Sequence, residues 1–90
     1  MRVLNVIIPY FNEANRIESM ISGLAKEIRA NQLFREELHL RFCWANDGST
    51  DSSKENLSRA IASYLPSGTT VALFHVDHFF VDLERNSGKA

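Results

Sequence analysis

Asn46-Asp47-Gly48-Ser49-Thr50-Asp51 gathers the side chains of this chain best placed to do chemistry. It follows a run that alternates like a strand and precedes a run that repeats like a helix. In α/β proteins a turn of that kind, at the carboxyl end of a strand, is where ligand sites are built. The Asp47 carboxylate can accept hydrogen bonds from ribose hydroxyls or from the imide N–H of a base. Gly48 lets the backbone turn sharply or come close to a ligand. A plainly structural reading fits the same letters. Asp-Gly is a common turn pair, and Ser49, Thr50 or Asp51 can cap the following helix. Spacing alone leaves both readings open for Asp47 and favours capping for Asp51.

Other reactive residue types carry less. Tyr10 or Phe11 can pack against a ring, whereas Trp44 shares a strand face with Leu40 and Phe42 and reads as core. His75, Asp77 and His78 have a spacing that can bind zinc, but they read better as a partly exposed polar loop. Cys43 sits mid-strand beside no evident base, which argues against a catalytic thiol. Asn56-Leu57-Ser58 fits the glycosylation sequon but falls inside a predicted helix.

The elements that must position these residues follow from periodicity. Val3 to Ile8 is a branched aliphatic run suited to a strand, and Pro9 is expected to end it. Asn12 is a plausible N-cap with Glu13 in the first helical turn. Ile17, Met20, Ile21, Leu24, Ala25 and Ile28 predict an amphipathic helix over about 13–30. Leu33 and Phe34, in the polar connection that follows, are expected to tuck against the core. Leu38, Leu40, Phe42 and Trp44 alternate with polar residues, which predicts a second strand. Leu57, Ala60, Ile61, Tyr64 and Leu65 mark a second helix, stopped by Pro66-Ser67-Gly68. Either 71–76 or 78–84 supplies the third strand; a hairpin between them lacks the usual glycine turn. The order β-α-β-α-β predicts a Rossmann-like α/β three-layer unit with a parallel sheet. The loops Pro9–Glu13, Asn46–Asp51 and Arg85–Lys89 then emerge at one sheet edge.

The totals set bounds. Ninety residues make one small domain, spanning 1–90, with a thin stability margin. Ten basic against eleven acidic side chains give no electrostatic case for nucleic acid or an anionic membrane. A single cysteine excludes an internal disulfide framework and points to a reducing, cytoplasmic setting. No apolar run is long enough for a membrane helix.

Three motifs carry a resemblance. VIIPYFNE near the start, NDGSTD after the second strand and RNSGKA after the third resemble family 2 glycosyltransferases, in the family's order. The resemblance implies an inverting enzyme of the GT-A fold that uses a nucleotide-sugar donor, a UDP-sugar first. It implies nucleotide-binding roles for Pro9, Tyr10, Phe11 and Glu13, which match the loop that cradles the base. Asp47 matches the acidic residue that binds the nucleoside. Asn46 stands where the family frequently has a second Asp. Asn86, Gly88 and Lys89 match the N-x-G-K loop beneath the donor, where a positive side chain can approach the diphosphate. Asn12, Ser49 and Asp51 remain helix-capping residues.

The family's D-x-D, which holds a divalent Mg or Mn ion, normally follows the N-x-G-K loop, and so does the general base. Asp82-Leu83-Glu84 resembles a D-x-D in letters but precedes that loop. The chain is therefore expected to be a truncated donor-binding segment, without catalytic residues or a metal of its own. A half-sheet of this kind exposes an edge strand and an apolar face, so a homo-oligomer is expected. The rival is a non-catalytic α/β interaction module that oligomerises and binds no donor. A receiver domain needs an acidic cluster after the first strand, and a dinucleotide-binding unit needs G-x-G-x-x-G there; neither is present.

Overall fold

The computed structural model describes residues 2–30 and 36–83. In chain order the elements are β1 (Arg2–Tyr10), α1 (Ile17–Ala30), β2 (Leu38–Asn46), α2 (Ser53–Tyr64), β3 (Thr69–Val71) and β4 (Phe74–Asp82). The connection holding Leu33 and Phe34 and the segment holding Asn86, Gly88 and Lys89 lie outside the described residues.

Alternation in β2 decides the architecture. Leu38, Leu40, Phe42 and Trp44 are buried, while His39, Arg41 and Cys43 between them are only half-buried. One face of the sheet therefore carries the core, and both helices lie on that face. Ile17, Ile21, Ala25 and Ile28 of α1 and Leu57, Ala60 and Ile61 of α2 join the same buried cluster. Their three-and-four spacing aligns each set in one stripe. Sheet and helices thus make two layers among the described residues; the third expected layer is not among them.

Strand order is β1-β2-β4-β3, with β1, β2 and β4 parallel and β3 antiparallel to β4. The sheet is therefore mixed rather than wholly parallel, through one short edge strand. The βαβ units place sequential parallel strands side by side, as right-handed crossovers on one face require.

Four boundaries differ from the sequence reading. β1 continues through Pro9 to Tyr10. Tyr10 O accepts from Asp47 N on the β2 side, so the ring nitrogen of Pro9, one residue earlier, faces the open edge where no ladder bond is lost. α1 begins at Ile17, not at Glu13. Glu13 to Arg16 form a separate turn, closed by Arg16 N–H donating to Glu13 O at 2.9 Å.

β4 is a single nine-residue strand that runs straight through Asp77-His78, so neither 71–76 nor 78–84 is the third strand by itself. His75, Asp77 and His78 are consequently strand residues and not a loop. A hairpin does occur, but earlier, where Ala72-Leu73 joins β3 to β4. Ala72 adopts φ 53°, the left-handed region that a glycine enters more readily.

His78 is a buried polar side chain packed against core rings. Trp44 Nε1–H donates to His78 Nδ1 at 2.9 Å, and His78 Nε2–H donates to Leu65 O at 2.6 Å. Both ring nitrogens are satisfied by a neutral imidazole, and burial pushes the His78 pKa down. The second bond also ties β4 to the residue that ends α2.

Candidate functional site

Tyr10, Asn46 and Asp82 are the last residues of β1, β2 and β4, and they stand in one row of the ladder. Asp47 N–H donates to Tyr10 O and Leu83 N–H to Asn46 O, both at 2.9 Å. The chain leaving each strand is thereby held against its neighbour at the carboxyl edge of the sheet.

The first two loops are laced together by side chains. Asn12 N–H donates to Ser49 Oγ at 3.0 Å, Glu13 N–H to Ser53 Oγ at 2.7 Å, and Ala14 N–H to Asp51 Oδ2 at 3.3 Å. In return Asn12 Oδ1 accepts from Thr50 N–H at 2.9 Å and Asp51 N–H at 3.3 Å. Asn12 adopts φ 51°, a conformation that asparagine tolerates better than most residues. The backbone donors before α1 are consumed by the second loop, which explains why that helix starts late. Asn12 therefore binds the neighbouring loop and not its own helix.

Asp51 and Ser49 have structural partners as well. Asp51 Oδ1 accepts from Ser53 N–H at 2.9 Å and from the Ser53 hydroxyl, at the first residue of α2. The Ser53 hydroxyl is the first cause of an Asp51 carboxyl held below its usual value. Ser49 N–H donates to Asn46 Oδ1 at 2.9 Å, closing the turn around Gly48, which has φ 80°. A side chain other than glycine or asparagine would be strained at that φ.

Asp47 is half-buried at the head of this turn, between the row of strand ends and the laced loops. Tyr10 is buried at 6 % exposure and belongs to the hydrophobic core, whereas Phe11 is exposed at 44 %. Of the two rings, Phe11 is the one with an accessible face. Pro9 is exposed on β1, and half-buried Glu13 accepts from Arg16 Nε at 2.9 Å. A shallow depression of about 320 Å³ lies over Asn12 to Arg16 and Asp51.

Sequence reasoning missed Lys54 and set Asp82 aside. Lys54 Nζ lies 2.6 Å from Asp82 Oδ2, and Asn46 Nδ2 donates to Asp82 Oδ1 at 3.3 Å. The bond to Lys54, then the one from Asn46, hold the Asp82 carboxyl below its ordinary range, and Asp82 in turn raises Lys54. One signal was legible: a lysine in the first turn of a helix opposes the macrodipole and implies a partner elsewhere. Among the described residues no group of three histidine, cysteine, aspartate or glutamate side chains is gathered as for a metal ion.

A mostly parallel α/β unit with polar loops meeting at the strand ends is the class of protein that this fold and edge define. Residues 5–90 match the family model for glycosyl transferase family 2, and the chain belongs to that family. No curated protein and no solved structure shows a significant match to it. Among the described residues, no helix is long and apolar enough to cross a membrane.

Proposed function

We propose that this chain binds the nucleotide part of a nucleotide-sugar donor, a UDP-sugar, as the donor-side segment of an inverting glycosyltransferase. The observation that carries this is the placement of Asp47 at the carboxyl edge, on a turn secured to both neighbouring strands and to the first loop. Its carboxylate would accept from the donor's nucleoside, and Phe11 would offer a ring face beside it. Glu13, paired with Arg16, sits on the same side. Asn86, Gly88 and Lys89 would complete the site beneath the diphosphate, as the family pattern implies. A divalent ion would supply electrostatic stabilisation of the departing diphosphate in the family's reaction. The transfer step itself is assigned to no residue of this chain.

Titration calorimetry with UDP and GDP in the presence of Mn²⁺ tests the reading. Binding of UDP that falls about tenfold or more in Asp47→Ala is expected, the loss of one charge-assisted hydrogen bond. Equal affinity in the variant would remove Asp47 from the site.

A cytoplasmic setting belongs to the same proposal, supported by the lone, half-buried Cys43. Self-association is the second reading, and the sheet face opposite α1 and α2 favours it. Ile7 and Phe79 are 70 % and 43 % exposed and lie in one register row either side of Cys43. Among the described residues β1 is also an unpaired edge. A second copy would cover this apolar stripe. Sedimentation that shows a monomer at high concentration would sink the idea, as would an Ile7→Lys variant that associates as wild type does.

A further inference from the structure

Asn46 occupies a position with two unlike neighbours. Its Oδ1 accepts the Ser49 N–H at 2.9 Å, and its Nδ2 donates to Asp82 Oδ1 at 3.3 Å. A backbone N–H can only donate, and an ionised carboxylate can only accept. Together these partners dictate which way the amide faces. The second Asp82 oxygen is held by Lys54 Nζ at 2.6 Å, so the carboxylate is itself secured from the first turn of α2. Asn46 and Asp82 end their strands in register, and Leu83 N–H donates to Asn46 O at 2.9 Å.

A carboxylate at position 46 would meet the Ser49 N–H equally well. It would, however, face Asp82 with no proton between the two. Like charges that close disfavour ionisation of one partner. The asparagine at 46 and the aspartate at 82 are therefore complementary, and each makes sense of the other.

We propose that Asp82 is a positioning residue for the Asp47 turn: through the Asn46 amide it holds Ser49 and so sets how the turn presents Asp47. Its bearing on a ligand rests on the donor-binding reading of Asp47. Among the described residues, the other ionisable groups around the pair are Tyr10 of β1 and Lys54 and Glu55 of α2. Lys54 is the only cation among these three, and its contact with Asp82 keeps that carboxylate ionised and accepting.

Three variants of the whole chain test this: Asp82→Ala, Asn46→Asp, and the exchange of the two types in Asn46→Asp/Asp82→Asn. Hydrogen exchange of the Ser49 amide, followed by NMR, reads the position of the turn without any ligand. Asp82→Ala is expected to speed Ser49 exchange about tenfold relative to amides of α1, as loss of a charge-assisted bond implies. UDP affinity should fall by a similar factor.

Asn46→Asp places two carboxyls together, so one of them has a folded pKa raised above its unfolded value. That variant is expected to lose stability relative to wild type as pH rises through and above the ordinary carboxylate range of about 4. In the exchanged pair the amide stands on β4 and donates to a carboxylate on β2, so the wild-type pH profile and Ser49 protection should return. Unchanged Ser49 exchange in Asp82→Ala, or no recovery in the exchanged pair, overturns the proposal. Altered Ser49 exchange with unaltered UDP affinity overturns its link to Asp47. A wild-type chain that binds no UDP removes the donor reading, and Ser49 exchange with the pH profile then decides the positioning role alone.

Discussion

On the helix side of the sheet, Phe42, Trp44 and His78 stack with ring centroids 5.5 to 6.1 Å apart, and every polar atom in the group has a partner. On the other side of the sheet, the residues that alternate with the buried ones follow different chemistry. Arg41 lies over Phe79 with its guanidinium carbon 4.8 Å from the ring centroid, His39 pairs with Asp77 at 2.6 Å, and Ile7 stands 70 % exposed. A polar group is admitted to the first face only when all its hydrogen bonds are made, because an unpaired one costs about 1–3 kcal/mol. The second face keeps its charges in reach of water and asks much less of its residues. If this contrast is right, equal truncations on the two faces should have very unequal effects.

Trp44 gives the largest difference. Trp44→Ala removes an indole buried at 2 % exposure and leaves His78 Nδ1 without its donor. A loss of about 3–5 kcal/mol is expected in urea unfolding, a large share of the whole stability of a domain this small. Ile7→Ala, also an apolar truncation in a strand, should stay within about 0.5 kcal/mol of wild type. Similar losses for the two would mean that something covers Ile7, and the contrast between faces would fail.

His78 sharpens the comparison through pH. Burial depresses its folded pKa below the ordinary value of 6.5, so the native state binds fewer protons than the unfolded chain. Its contribution is complete above about pH 6.5 and is lost as pH falls toward the depressed folded value, with a slope of at most about 1.4 kcal/mol per pH unit. Protonation would also set a second N–H against that of Trp44. Thermal unfolding between about pH 7 and about pH 5 should therefore steepen in wild type and flatten in His78→Gln. The same slope in both proteins would assign the acid sensitivity to other groups.

The faces were legible where one letter decides one side. Leu38, Leu40, Phe42 and Trp44 announce a half-buried strand, and the spacing from Ile17 to Ile28 announces the helix that covers it. The turn at Asp47 was legible for the same reason, since it separates two clear periods. Asp77-His78 misled because two adjacent polar letters look like a break. They point to opposite faces of β4, where Asp77 meets His39 and His78 meets Trp44. Nothing local records either meeting. The same holds for Lys54 and Asp82, 28 positions apart, and for the lacing of Asn12, Glu13 and Ala14 to Ser49, Ser53 and Asp51. Pro9 inside β1 was hidden because its tolerance depends on which side of the strand faces the open edge, a property of the sheet and not of the residue.

The smallest effect comes from the charged part of the second face. Arg41 and Phe79 lie on adjacent strands, offset diagonally: Arg41 pairs with Asp77, and Cys43 with Phe79. The guanidinium reaches across that diagonal to cover a ring that is 43 % exposed. An exposed cation–π contact is worth about 0.5–1 kcal/mol. A double-mutant cycle with Arg41→Ala and Phe79→Ala should return a coupling at the lower end of that range. Because both groups stay hydrated, added salt should reduce the coupling further. A coupling of about 2 kcal/mol or more would mean that the pair is shielded from water. The second face would then be an interior surface in solution, covered by another copy or by another part of the polypeptide.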